Sequence, residues 1–220
     1  MSVVCVTPGV CQHLDMSQPA RQYRGRSSEE RAAERRARLL EAGLQVFGTV
    51  GGDKATMTAI CAEAKLTERY FYESFRGRDD LLVQVIEGIA AEIGEAARVT
   101  LQTVTGDPEV RVRAAIAAFV DILTADPRKG RVSIIESAGA EPLRTRRREL
   151  LRAFALLVAE QARELYGDRA WSSPQDEITA LLFVGGLAEL MTAWLNGEIE
   201  VSPEQIVDAA TYQFTSTAHR

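Results

Sequence analysis

The sequence predicts an all-α fold, and three observations carry that reading. Apolar residues recur at helical spacing, as in Ala114, Ala117, Ala118 and Ile122 or Ile178, Leu181, Leu182 and Gly185. No sustained period-two run of β-branched residues appears. The five prolines beyond the first 20 residues each follow an acidic or hydroxyl residue, at Asp107-Pro108, Asp126-Pro127, Glu141-Pro142, Ser173-Pro174 and Ser202-Pro203. Proline at a first helical position loses no hydrogen bond, and the residue before it can accept from the next free amides.

These signals divide the chain into helices over 28–49, 56–63, 67–74, 79–104, 108–125, 128–138, 142–167, 174–197 and 203–217. The first mixes Arg31, Arg35 and Arg36 with Glu29, Glu30 and Glu34, the pattern of a solvated helix face. Thr56 caps the second, and a tight connection at Lys65-Leu66 separates it from the third. The longer helices that follow start at the proline signals, and in the last of them Ser202 with Gln205 completes a capping box.

With 220 residues, 46% hydrophobic and 26% charged, the composition is that of a globular protein with an ample core. Apolar stretches such as Leu181 to Leu187 fall short of the roughly 20 residues a membrane span requires. The first 20 residues contain no Lys or Arg, so no secretory signal is expected and the protein is read as cytoplasmic. The odd count of three cysteines, at 5, 11 and 61, favours reduced thiols over a disulfide framework. Cys5, Cys11 and His13 supply only three groups in a Pro/Gly-containing tail, so no metal site is expected, and no cofactor. The only other histidine is His219, which leaves no material for a histidine-dependent triad or a zinc-hydrolase motif, and the chain is read as no enzyme.

Charge splits the sequence. The net charge of −5 divides into −1 over residues 1–20, +4 over 21–78 and −8 over 79–220. A basic module on an acidic body suggests a polyanion partner for the first part. The corresponding division is a disordered tail with a basic arm (Arg21, Arg24, Arg26) over 1–27, a three-helix unit over 28–78 and a helical body over 79–220.

Residues 56–75 have the proportions of a helix-turn-helix, with Ile60, Ala64, Leu66, Phe71 and Phe75 spaced to lock its two helices together. The second helix keeps an outer face, where Glu68 and Tyr72, and Arg69 and Glu73, align at i,i+4. Its chemistry suits double-stranded DNA. Arg69 can pair bidentately with guanine, Glu68 can accept from cytosine, and hydroxyls of Thr58, Thr67, Tyr70 and Tyr72 can donate to phosphates. Lys65, Arg76 and Arg78 add phosphate neutralisation. The plainer reading of Arg69 and Glu73 is a surface ion pair, and at least one of Tyr70 and Tyr72 must be partly exposed, because both flank the inward-facing Phe71.

The segments Arg38–Phe47, Gly51-Gly52, Thr56–Ile60 and Leu66–Leu81 together resemble the tetracycline-repressor (TetR) family of transcriptional regulators. The resemblance implies a helix-turn-helix DNA-binding domain followed by a helical ligand-binding and dimerisation domain. It also implies a homodimer on a palindromic operator, usually repressing and released by a small molecule. Thr56 and Thr58 resemble the family's phosphate-side residues, Thr67 to Tyr72 its recognition helix, and Arg78 the basic position after it. Arg69-Tyr70 and Glu73-Ser74 depart from the usual residues, so the operator sequence does not carry over. The alternative from another class is a helical small-molecule-binding protein or enzyme that has lost DNA binding.

Under the family reading the two last long helices, 174–197 and 203–217, form the dimer interface, with Gly185-Gly186 permitting close approach. A cavity for a small apolar inducer is expected among helices 79–104, 108–125, 142–167 and 174–197, lined by Phe119, Leu123, Phe154, Leu157, Phe183 and Met191, residues for which core packing is the default role. The run Arg144-Thr-Arg-Arg-Arg148, flanked by Glu141 and Glu149, reads as a solvated face. Gly48 to Ala55 reads as an inter-helix turn, because no Ser or Thr follows Lys54 and no strand precedes it.

Overall fold

The computed structural model describes residues 27–138, 141 and 143–219. The N-terminal cysteines, His13 and the arginines of the expected basic arm lie outside these residues. Among the described residues nine α-helices follow one another: α1 (Ser28–Val50), α2 (Met57–Ala64), α3 (Glu68–Ser74), α4 (Arg78–Thr103), α5 (Pro108–Ala125), α6 (Pro127–Gly130), α7 (Leu143–Tyr166), α8 (Gln175–Leu195) and α9 (Pro203–Thr217).

The first three helices form a unit around α1. Ser27 opens α1 in a capping box, accepting from the Glu30 amide at 3.0 Å while the Glu30 carboxylate accepts from the Ser27 amide at 2.7 Å. Below that turn Leu39, Ala42, Val46 and Phe47 are buried at helical spacing. They meet Ile60 and Ala64 of α2, Phe71 of α3 and Leu81, Leu82, Val85 and Ile86 of α4 in one continuous apolar core. Gly43 admits α4: a β-carbon there would stand 3.0 Å from Leu81.

In the body α5 lies between α4 and α9, and α7 pairs with α8. Val120 and Leu123 of α5, Met191 of α8 and Ile206 and Phe214 of α9 are the buried anchors. The proline starts hold at α5, α6 and α9, and Ser202 and Gln205 form the expected capping box. At α8 the helix begins one residue after Pro174, which occupies the cap position behind a cis peptide.

The expected helix over 128–138 is the main departure. Only Pro127–Gly130 is α-helical, and a π-helical turn (Arg131–Ile135) and a 3-10 turn (Glu136–Ala138) complete the segment. Its polar side chains are committed to α1, the loop after it and α4. Arg128 reaches Glu41 at 3.0 Å and Gln45 at 2.8 Å on α1, with its own Asp126 at 2.7 Å. Lys129 pairs with Glu92 of α4 at 2.6 Å. Arg131 donates to the Thr49 carbonyl at 3.3 Å, and the Glu136 carboxylate accepts from the Gly52 amide at 2.9 Å. The Arg128 guanidinium holds the Asp126 carboxyl below the usual carboxylate range.

The backbones meet closely here. A β-carbon on Gly48 would stand 2.5 Å from the Arg128 β-carbon and 2.9 Å from its α-carbon. Gly48→Ala is therefore expected to force α1 and α6 apart and cost about 1–3 kcal/mol. Denaturant unfolding checks this; a change within about 0.3 kcal/mol would show that the contact yields freely.

Candidate nucleic-acid interface

The turn between α2 and α3 depends on one backbone feature and one distant side chain. Lys65 adopts the left-handed conformation (φ 53°), letting its amide return to the carbonyls of Cys61 and Ala62. The Arg38 guanidinium, carried by α1, donates to the carbonyls of Ala64 and, at 3.3 Å, Lys65. It thus satisfies free carbonyls at the α2 C-terminus. Ile60, Ala64, Phe71 and Phe75 are buried as their spacing predicts, with Leu66 half-buried beside them.

The opposite side of the unit is open. Thr56, Thr58, Thr67, Glu68, Arg69 and Tyr72 are all exposed. The Thr56 hydroxyl accepts from the Ala59 amide at 3.1 Å, and its proton remains to donate. Thr67 takes the cap position of α3 without a side-chain cap bond. Arg69 is 84% exposed and Tyr72 60%, and the Arg69 Nε donates to Glu73 Oε1 at 3.2 Å. Lys65 and Arg76 lie exposed at the two ends of the same surface.

Two expected contact residues sit differently. Tyr70 is half-buried, with the Arg35 guanidinium 4.5 Å from its ring centroid. The Arg78 guanidinium turns inward, donating to the carbonyls of Gly52 at 2.8 Å and Ala55 at 3.3 Å and to Asp79 at 2.8 Å. It clamps the α1–α2 loop to the start of α4.

The α1 arginines also differ from the solvated face that the sequence suggests. Arg35 stacks on Tyr70 and pairs with Glu73 at 3.7 Å, while Arg36 lies over Phe75 and bonds Gln84. Both stand one turn before buried Leu39, so their stems lie on the packed face while the charged heads reach outward. Their i−4 and i−3 relations to Leu39, the first buried position of α1, are the available signal.

Asp80 completes the far end. Its carboxylate accepts from the Arg76 amide at 2.8 Å and from Gln84 at 3.0 Å. The Arg76 amide chiefly holds this carboxyl below its ordinary value, against the opposing effect of burial. A depressed folded value stabilises the protein above the unfolded carboxyl's ordinary pKa, about 3.9, and this contribution is lost as pH falls through the folded value. Asp80→Asn is thus expected to lower stability at pH 7 and flatten its decline into acid. Unfolding free energies at pH 7 and pH 3 check the sign; a uniform loss at both would contradict it.

In the body, Leu123, Met191 and Phe183 are buried core residues, and Phe119 and Phe154 are half-buried against that core. Leu157 points away from the interior, 47% exposed, because the face of α7 that meets α8 carries Ala155, Ala159 and Ala162 instead. A cavity between α7, α8 and α9 measures about 10 Å³ and is lined by Ala162, Asp176, Phe183 and Phe214 among others. That is room for about one water. The arginine run is a paired surface, as expected: Arg144 and Arg148 meet Glu141 at 3.6 and 3.5 Å, and Arg146 meets Glu87 and Glu149, each at 2.8 Å.

A short exposed helix, held by a tight turn on a three-helix unit, defines a helix-turn-helix DNA-binding protein. Residues 39–85 match the family model described as bacterial regulatory proteins, tetR family. Residues 39–85 thus match the DNA-binding domain of that family, the mark of a DNA-binding transcriptional regulator. Solved structures share the fold over most of the chain. The fatty acid degradation regulator FadR from Bacillus halodurans matches at 18% identity and TM-score 0.71, covering 84% of this chain and 97% of that one. FadR from Bacillus subtilis, in complex with stearoyl-CoA, matches at 14% identity and TM-score 0.71 over 83% and 99%. A TetR-like transcriptional regulator from Rhodococcus sp. RHA1 matches at 19% identity and TM-score 0.61 over 84% and 97%. No curated protein matches.

Proposed function

We propose that this protein is a ligand-responsive repressor that binds a palindromic operator as a homodimer and is released by a small apolar molecule. The observation that carries the DNA half is the outward face of α3, where a solvent-facing Arg69 and Tyr72 stand above hydroxyls of Thr56, Thr58 and Thr67. Arg69 reads a guanine edge and Glu68 a cytosine, while the threonines, Tyr72, Lys65 and Arg76 hold the phosphates. Arg78 and Tyr70 support this surface from behind.

Dimerisation is assigned to an exposed apolar face centred on α8. Ile178, Leu181 and Leu182 are exposed there, Gly185 and Gly186 face open space, and Leu156 and Leu157 of α7 flank the Ala155–Ala159–Ala180 seam. The sequence reading paired α8 with α9, but α9 turns Ile206, Val207, Ala210 and Phe214 into the body and exposes Tyr212. The 21 residues of α8 are long and apolar enough to cross a membrane by length and composition, contrary to the expectation of no such stretch. A second copy of the chain covers this face in the proposed dimer and sets two copies of α3 into successive major-groove turns.

The effector route runs through α6. A ligand entering among α4, α5, α7 and α8 meets Phe119, Phe154, Phe183 and Met191, which pack in one continuous core. Displacement there moves the segment whose Arg128, Arg131 and Glu136 grip α1 and the loop after it. The stearoyl-CoA held by the Bacillus subtilis FadR makes a long-chain acyl thioester the first probe. Release requires the ligand to prefer the DNA-incompetent state, and DNA to weaken ligand binding by the same factor.

Selection from random double-stranded DNA with the full chain tests the reading. An enriched inverted repeat is expected, with half-sites about one helical turn apart. Stearoyl-CoA added to that complex is expected to weaken it at least fivefold, the lower end of typical coupling. Failure to enrich any sequence would overturn the DNA half, and unchanged operator affinity with bound stearoyl-CoA would overturn the acyl-thioester effector.

A further inference from the structure

We infer that Glu73 is a positioning residue for base recognition. Its carboxylate presents the Arg69 guanidinium end-on to guanine, and so sets the base preference of the operator half-site. The inference rests on the DNA-binding reading above and deepens it.

The geometry is a chain of three charged groups running from the outer face of α3 back into α1. Arg69 donates its Nε, the side edge of the guanidinium, to Glu73 Oε1 at 3.2 Å. The other oxygen of the same carboxylate, Oε2, lies 3.7 Å from the Arg35 guanidinium. Arg35 is fixed in turn, stacked 4.5 Å from the centroid of the half-buried Tyr70. Exposure falls along this chain from 84% for the Arg69 side chain to 42% for Glu73 and 25% for Arg35. The outermost group is thus tied, through one carboxylate, to a packed support.

An isolated surface pair at i,i+4 contributes only about 0.3–0.5 kcal/mol and does not hold a long side chain in one rotamer. The shared carboxylate changes that. With Nε engaged, the two terminal nitrogens Nη1 and Nη2 form the leading edge, and this edge matches the O6 and N7 acceptors of guanine. Glu73 also makes unproductive poses costly: a guanidinium swung toward a phosphate leaves the carboxylate facing DNA with only Arg35 to balance it. Glu73 thus trades non-specific attraction for orientation.

The test compares the full-length wild type with Glu73→Gln, Arg69→Ala and Arg69→Lys. Operator preference is determined by selection from random duplex DNA, and affinity by fluorescence anisotropy on the selected duplex and on a scrambled duplex. Wild type is expected to prefer guanine at one position per half-site by roughly tenfold to a hundredfold, and both Arg69 variants to lose that preference. Glu73→Gln is expected to lose about tenfold of the preference at that same position while binding the scrambled duplex as tightly as wild type or more tightly, because a negative charge has left the surface. A merely structural role for Glu73 would weaken both duplexes together and lower the melting temperature.

Retention of the guanine preference in Glu73→Gln would overturn the inference while leaving the DNA-binding reading intact. So would a lost preference at a position different from that of the Arg69 variants, which would make Glu73 a reader of its own base. If wild type selects no sequence, the DNA-binding reading fails and this inference with it.

Discussion

Replacing Arg69 and Tyr72 together by alanine is expected to abolish sequence-selective DNA binding without disturbing the fold. Both side chains stand in solvent, 84% and 60% exposed, so their removal leaves no cavity and stability should stay within about 0.5 kcal/mol of wild type. A bidentate arginine–guanine pair contributes about 1–3 kcal/mol of discrimination. A dimer presents two such pairs, so about 2–6 kcal/mol is expected to disappear, corresponding to roughly 30-fold to over 10,000-fold in affinity for the preferred duplex. Phosphate contacts from Lys65, Arg76 and the threonines should leave weak, salt-sensitive binding to any duplex. Anisotropy on preferred and scrambled DNA, with circular dichroism as the folding control, measures both. Retained selectivity in a folded double variant would move recognition away from α3.

The second large effect is expected at the apolar face of α8. Leu182 is 67% exposed, and no side chain stands within 4 Å of the positions that β-carbons on Gly185 and Gly186 would occupy. Leu182→Glu should therefore be silent in the isolated chain. In the dimer it sets a carboxylate from each copy into an apolar contact, where an unpaired charge costs several kcal/mol, so the variant is expected to be monomeric at micromolar concentration. Operator affinity should fall at least a hundredfold, because the two half-sites no longer share one binding event. Sedimentation analysis decides. If Leu182→Glu stays dimeric and Tyr212→Glu does not, the interface rests on α9, the second of the two helices that the sequence places there.

The recognition unit was legible because its evidence is local. Ile60, Ala64, Phe71 and Phe75 declare their inward positions by spacing, and the Thr56 cap and the Lys65-Leu66 connection mark where the helices begin and turn. The supports of that unit were not legible, because each joins residues far apart in sequence. Arg38 bonds the turn 26 residues on, Arg128 reaches Gln45 across 83, and Glu136 reaches Gly52 across 84. Nothing local distinguishes Arg78, clamped on the Gly52 carbonyl, from a basic residue waiting for phosphate. The segment after Pro127 failed for a related reason. Its apolar spacing fits a helix, but a backbone carbonyl, that of Leu123, lies 3.0 Å from where a β-carbon on Gly130 would stand, and its charged side chains answer to α1 and α4. In the body, helical spacing marked Leu123 and Met191 as inward but gave Leu157 the wrong face, since small alanines form the α7–α8 seam.

The central claim is that the open face of α3 reads DNA sequence, and binding of the full chain to its selected inverted repeat across a salt series tests it most directly. The expected result is affinity at least a thousandfold above that for a scrambled duplex, falling linearly in logarithm with salt concentration at a slope set by the neutralised phosphates. Equal affinity for the two duplexes at every salt concentration would contradict the account.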